Sequence, residues 1–465
     1  MIKYIGIIVA TVAVLGMGKR PESLQKFIYE KEPLVMTADA VRDANGAFTL
    51  SQLESPEPRC SVKLQGNITP LTERMWAIAL DDVERNLVTN EAGVVYFGAG
   101  TRYGDRVYTR DLSIAGVLGV NRFYPNEMLS SLKLTREVRR GLGYKVSAGH
   151  DIREIDVPWE VIAEVDREIM QKYKTNSYTR RTDDVVWLWA ADDLFALHPE
   201  IADWQWMLEN GEEFFKVFYD PWFDESDGLF RGQALYHDIQ HSCYPKGYSK
   251  ADCVLLKALS TNCIYYRAML AMANACEKAG RPVSEKQAWL ERAALLKTAI
   301  QKELTNPDGT LAYYKDRHGE LMPNRPILGT ALAVLFGVIE GDAAKAAYEG
   351  YPLTDKGIPL FFPYLDNQGD HNQASWPFCS TFFLHGKTIA TGEDTLDYNA
   401  ALLARSLGTA IKPPRRAKEG QEWDSGFGSF HEKISLPSGL IGGSGHQLWS
   451  AAAYLDVCIR AGLVK

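Results

Sequence analysis

The stretch Ser260-Thr261-Asn262-Cys263-Ile264-Tyr265-Tyr266-Arg267-Ala268-Met269-Leu270-Ala271-Met272-Ala273-Asn274-Ala275-Cys276-Glu277-Lys278-Ala279 decides the fold, with the segment Ser284–Leu304 that follows after Gly280-Arg281-Pro282-Val283. In both segments apolar residues recur at helical spacing. The same pattern extends outward on both sides. Upstream it runs through Thr72–Leu87, Leu112–Val120, Glu127–Gly141, Glu160–Tyr173, Asp183–Leu197 and Trp204–Tyr219. Downstream it runs through Ile327–Ile339, Trp376–Ala390, Asp394–Ala410 and Gln447–Ala461. The count is about twelve helices. Their connections are rich in Gly, Pro and Asp (Asp220-Pro221, Asp308-Gly309, Gly357-Ile358-Pro359, Pro437-Ser438-Gly439) and alternate between short and long. Short ones suit the back of a helical ring, and long ones build a working face. Strand pattern is confined to Gly93–Gly98 and a hairpin at Leu311–Leu321, and no fixed repeat period points to a solenoid. The expectation is an all-α chain whose antiparallel helix pairs form an (α/α)6 toroid over residues 70–465, preceded by an irregular lead-in over 21–69.

Bulk composition narrows the function classes. With 46% hydrophobic and 24% charged residues the chain is an ordinary globular protein. A net charge of −8 and the lack of a basic stripe argue against a nucleic-acid partner. Lys412-Pro413-Pro414-Arg415-Arg416-Ala417-Lys418, the densest basic run, reads as a solvated loop. Seven cysteines, none in a CxxC pair, read as buried thiols, not as a disulfide framework or a zinc site. Residues 1–20 carry a lysine, an apolar stretch from Ile5 to Met17 and then Lys19-Arg20. That is the form of a signal peptide or an uncleaved N-terminal anchor, so the chain is expected to be exported.

Chemistry gathers in two carboxylate-rich loops. The first reads Asp224-Glu225-Ser226-Asp227-Gly228-Leu229-Phe230-Arg231-Gly232, then Tyr236-His237-Asp238. The second reads Trp423-Asp424-Ser425-Gly426-Phe427-Gly428-Ser429-Phe430-His431-Glu432. Asp238, among Tyr236, His237, Arg231 and Tyr244, is placed for a raised pKa and proton donation. The acids of the first loop lack the spacing of an EF-hand, so no calcium site of that type is expected. Three further segments supply sugar-binding chemistry. Arg110 and Asp111 open the Leu112 helix. Asp183-Asp184 precede Trp187, and Asp370-His371-Asn372 precede Trp376-Pro377. Each serves equally well as a helix cap or as a grip on sugar hydroxyls. The abundance of aromatics (11 Trp, 22 Tyr, 18 Phe) fits a large core, and also a cleft whose flat apolar faces stack on pyranose rings.

The order of these motifs resembles that of the six-hairpin glycoside hydrolases, in particular the clan of trehalases and processing α-glucosidases. The resemblance covers roughly residues 70–465 and rests on five segments. They are Arg110-Asp111, Asp227-Gly228-Leu229 with Asp238, His371-Asn372 with Trp376-Pro377, Phe430-His431-Glu432, and Gln447-Leu448-Trp449-Ser450-Ala451-Ala452. It implies inverting hydrolysis, with exo-action on α-linked oligosaccharides and without a cofactor or metal. Asp238 would protonate the glycosidic oxygen and Glu432 would activate water, with carboxyls about 6.5–9.5 Å apart. Arg110, Asp111, Asp184, Trp187, Arg231, His237, His371, Asn372, Trp376 and Trp449 would bind the sugar. The strict trehalase signatures are absent, so trehalose specificity is not implied, and Asp227 stands beside Asp238 as the acid. A polysaccharide lyase or sugar epimerase on the same toroid would instead use His237, His241, Tyr236 and Arg231, and a silent sugar-binding protein would use the aromatics alone.

Overall fold

The computed structural model describes residues 24, 27–29, 31, 33–141, 182–235, 243–365, 371–409 and 427–464. Twelve helices of seven or more residues lie among them: α1 (Pro70–Glu84), α2 (Thr109–Ala115), α3 (Pro125–Gly141), α4 (Val186–Leu197), α5 (Trp204–Trp222), α6 (Leu259–Lys278), α7 (Val283–Glu303), α8 (Ile327–Leu335), α9 (Gly341–Tyr348), α10 (Pro377–Thr391), α11 (Leu396–Arg405) and α12 (Leu448–Arg460). Eleven coincide with helices read from periodicity, and α9 is additional. The helix expected over Glu160–Tyr173, the N-terminal apolar stretch, His237 and Asp238 lie outside the described residues.

Burial separates two sets of helices. On α6, 15 of 20 residues are buried. On its partner α7 only 5 of 21 are, Trp289, Ala293, Leu296, Ala299 and Ile300, in a single stripe. The packing partners follow the same division. The even-numbered helices α2, α4, α6, α8, α10 and α12 touch in sequence, and α12 returns to α2, closing the circuit. The odd-numbered helices lie against them: α3 on α2 and α4, α5 on α4 and α6, α7 on α6, α9 on α8 and α10, α11 on α10 and α12, and α1 on α12.

Local chemistry sets the helix ends. Thr69 caps α1 by accepting from Thr72 N, with Pro70 in the first turn. Asp203 caps α5 by accepting from Trp206 N. Pro377 opens α10, and Gly392 (φ 75°) closes it in the left-handed region. The helix expected over Leu112–Val120 changes pitch instead. α2 passes into a π turn at Gly116–Val120, where Gly119 (φ 136°) lies against Leu455 and Ile459 of α12.

The lead-in is not irregular. Phe27–Ile28, Val35–Met36, Ala40–Asp43 and Gly46–Thr49 form a four-stranded antiparallel meander. Its last hairpin turns through Ala44-Asn45, where Asp43 Oδ1 accepts from Asn45 N (2.7 Å). The strands are too short to register as alternation, yet they bury Leu34, Met36, Val41 and Phe48. They pack on α11, whose Arg405 meets Asp43 at 2.7 Å with both side chains almost fully buried. Arg405 also donates to Gly439 O, in the turn of the Lys433–Ser435/Ile441–Gly442 hairpin. One guanidinium therefore ties the meander, α11 and the second acid loop together. None of the seven cysteines forms a disulfide. Among the described residues no helix is long and apolar enough to cross a membrane.

Breaking a buried pair leaves an uncompensated charge. Asp43→Ala is expected to lower the unfolding free energy by about 3–5 kcal/mol in urea denaturation. A loss below about 1 kcal/mol, the range of an exposed pair, would mean that the meander is not anchored through Arg405.

Candidate active site

Glu432 stands at the start of the Lys433–Ser435 strand, with its side chain buried. The strand pairs with Ile441–Gly442 on one side and Ala374–Ser375 on the other. This places the residue next to the segment that leads into α10. Glu432 N donates to Ser444 O (2.9 Å), and Ser444 N donates back to Glu432 Oε2 (3.0 Å). Tyr103 Oη donates to Glu432 Oε1 (2.7 Å). A Cβ on Gly443 (φ 82°) would lie 2.1 Å from Oε2, so only glycine fits there. Burial raises the Glu432 carboxyl above its ordinary range, while the Tyr103 and Ser444 donors pull it back. Burial and the adjacent carboxylate push the Tyr103 phenol well up, so it remains a donor. Both partners donate to Glu432, which suits a proton acceptor.

Tyr103 extends this site toward α2. Its ring meets Tyr108 edge-on at 5.7 Å, and the Arg110 guanidinium lies 5.4 Å from the Tyr108 ring. Arg110 Nη1 pairs with Asp183 Oδ2 at 2.6 Å in the turn before α4. Arg136 of α3 lies 3.9 Å from Asp184 Oδ1 and 5.1 Å from the Trp187 ring. Two guanidiniums and two carboxylates thus share one buried cluster, and each charge has opposite charge nearby. Trp187 is fully buried, donates to Asp184 O (3.0 Å) and meets Trp206 edge-on at 5.2 Å. Asp111, in the first turn of α2, accepts from Gln447 Nε2 at 3.3 Å, just before α12. Thr109 is the first helical residue of α2, and Tyr108 takes the cap position.

A run of aromatics adjoins the same loop. His371 stacks on Trp376 (5.1 Å, 21°), which meets Trp449 edge-on at 5.7 Å. Trp449 in turn stacks on Phe378 (4.2 Å, 25°). Direct contacts thus join the N-terminal ends of four neighbouring helices, α4, α2, α12 and α10. Asn372 does different work: its amide accepts from Leu365 N (2.9 Å) and donates to Leu365 O (2.7 Å), closing its own loop.

The first acid loop is an ion network. Arg231 Nη2 contacts Asp224 Oδ2 at 2.6 Å, and Arg231 Nη1 donates to Phe223 O at 3.0 Å. Lys257 binds Asp224 (2.7 Å) and Asp227 (2.6 Å), and Lys315 binds Asp227 (3.1 Å) and Glu303 (2.7 Å). Burial raises the Asp224 carboxyl, but Lys257 and Ser226 outweigh it and hold that carboxyl well below its usual range. Asp227 Oδ2 is thus held by two ammonium groups at once. The chain beyond is pinned onto α6: Leu235 N donates to Ser260 Oγ (3.0 Å), and Thr261 Oγ1 donates to Gln233 O. Asp238 and His237 follow directly, outside the described residues.

Tyr103 and Ser444, the direct partners of Glu432, were not marked by any sequence motif, because each signal is one ordinary loop residue. Gln447 was visible only as part of its motif. Among the described residues no group of three or more His, Cys, Asp or Glu side chains is arranged to hold a metal ion.

No family profile and no curated protein matches the sequence. Among solved structures the chain is similar to a wild-type protein described as a glycosidase, with TM-score 0.57 and 16% identity over 86% of this chain and 100% of that one. A variant of a glycosidase in complex with glucose matches with the same TM-score of 0.57 and 16% identity, over 86% of this chain and 100% of that one. A GH78 rhamnosidase of Bacillus sp. GL1 matches with TM-score 0.52 and 15% identity, over 86% of this chain and 35% of that one. The described chain has a fold shared with glycosidases.

Removing the Tyr103 hydroxyl takes away a donor that favours ionised Glu432, so the Glu432 carboxyl rises further. Tyr103→Phe should move the acid limb of the kcat/KM profile to higher pH and lower kcat about 10- to 100-fold, the worth of a hydrogen bond to a charged group. An unchanged limb would show that the 2.7 Å contact does not tune Glu432.

Proposed function

We propose that this protein is an exported glycoside hydrolase on an (α/α)6 toroid of the six-hairpin type. It acts by inversion at the end of α-linked oligosaccharides. The observation that carries this reading is the buried Glu432 carboxyl, faced by the Tyr103 and Ser444 donors and adjoining a run of aromatics. The closed circuit of even-numbered helices supports the toroid, and the fold shared with glycosidases supports the reaction class. The neighbour in complex with glucose supports a glucose-containing substrate.

In this reading Glu432 removes a proton from water as the water oxygen bonds to C1. Asp238 gives its proton to the glycosidic oxygen as the C1–O bond breaks on the opposite face. Glu432 ends protonated and Asp238 ionised, and exchange with solvent restores both. Inversion requires the two carboxyls about 6.5–9.5 Å apart, which leaves room for the water. Asp111 accepts from sugar hydroxyls beside Gln447, and Trp376 and Trp449 border the ring. Asp238 is preferred over Asp227, because the Asp227 carboxyl is already engaged by Lys257 and Lys315. Arg231 is engaged by Asp224 and Phe223 O, which weakens the lyase or epimerase reading that needs it for proton abstraction.

The test is product release from a panel of α- and β-linked disaccharides and oligosaccharides, with Asp238→Asn and Glu432→Gln alongside. Hydrolysis of an α-linkage with the β-anomer released first, and a loss of about 10²-fold or more in each variant, is expected. Unsaturated or epimerised products, or activity surviving both changes, would contradict the proposal.

A further inference from the structure

Two buried polar side chains, Asp82 in the last turn of α1 and Asn86 two residues beyond its end, face the second acid loop. Asp82 Oδ2 accepts from Phe430 N (2.7 Å), two residues before Glu432. Asp82 Oδ1 lies 2.5 Å from His446 Nδ1, just before Gln447. Asn86 Nδ2 donates to His446 O (2.7 Å) and to Asp82 O (2.7 Å). The two ends of the loop are also tied to each other, by Gln447 N donating to Phe430 O (2.9 Å) and His446 N donating to Ser429 Oγ (3.3 Å). A single carboxylate thus holds both the entry and the exit of the segment that carries Glu432.

The backbone shows what this hold works against. Among the described residues His446 is the one non-glycine residue with positive φ, at 42°. A side chain kept in that region costs on the order of 1 kcal/mol and persists only where its surroundings over-determine it. Here the imidazole contact with Asp82 and the Asn86 bond supply that excess.

We infer that Asp82, acting through His446 and the Phe430 amide, is a positioning residue that fixes Glu432 for attack by water. The inference rests on the reading of Glu432 as the base. Asp82 must be ionised to accept from both donors. Burial raises its carboxyl to about 6, against the His446 bond, the imidazole charge and the Phe430 amide. The other charged groups nearby are matched: Asp81 on α1 pairs with Arg85 (2.6 Å). As pH falls through this value one oxygen takes a proton, and one of the two donors loses its acceptor. Removing the imidazole raises the carboxyl further, so the loosening starts at higher pH.

His446→Gly separates this role from folding, because glycine adopts φ 42° without strain. The variant should lower kcat about 10- to 100-fold, since a misplacement near 1 Å costs about that much. KM should stay within about twofold, the mark of an interaction that acts on the transition state. The acid limb of kcat should move to higher pH, and amide hydrogen exchange should quicken over residues 427–447 but not over α6. Asp82→Asn should act in the same direction. Exchange needs no substrate: a wild-type protein that hydrolyses nothing overturns the proposed function, while the exchange comparison still decides the positioning role. Unaltered exchange with full kcat in His446→Gly, or a loss confined to KM, would overturn the inference.

Discussion

A carboxyl group withdrawn from water either gains donors or takes up a proton. The second acid loop is built around that requirement for Glu432. Ser444 gives its amide to Oε2, Tyr103 gives its hydroxyl to Oε1, and Gly443 leaves room for the carboxyl because it has no side chain. Each of these depends on another element. Ser444 lies two residues past the return strand of the Glu432 hairpin, and Tyr103 on the approach to α2. The hairpin turn is held by Arg405, which also binds the N-terminal meander. The local need of one carboxyl therefore reaches across the chain.

The surrounding charges follow a second rule. Buried ions are tolerated when matched, and the clusters beside α2 and in the first acid loop are matched. Arg110, Asp183, Asp184 and Arg136 form one, and Asp224, Asp227, Arg231, Lys257, Lys315 and Glu303 form the other. Such networks add little net stability over an apolar core. They do fix geometry, because every misplacement leaves an uncompensated charge. A site that must hold water and sugar in one arrangement benefits from that rigidity.

The helices were legible because an apolar stripe repeats over many residues, as on α7, where Trp289, Ala293, Leu296 and Ile300 keep helical spacing. The meander was not, because strands of two to four residues give too little alternation to read. Among candidate site residues the limit was of another kind. A loop arginine or asparagine looks the same whether it grips sugar or its own backbone, and Arg231 and Asn372 are bound within the protein. Tyr103 lies 329 residues from Glu432 in sequence, so nothing local could pair them. Asp82 read as an ordinary helix residue for the same reason: its partners belong to a loop near the other end of the chain.

The central claim is that Glu432 serves as the base for an attacking water. Azide needs no base, because it bonds to C1 as an anion while Asp238 protonates the departing oxygen. The most direct measurement is therefore azide rescue of Glu432→Ala on the glycoside that the wild-type protein cleaves, with the product's anomeric configuration read by NMR. Recovery of activity, with a glycosyl azide of configuration opposite to the substrate, is the predicted result. No recovery, or a glycosyl azide of retained configuration, would contradict the account.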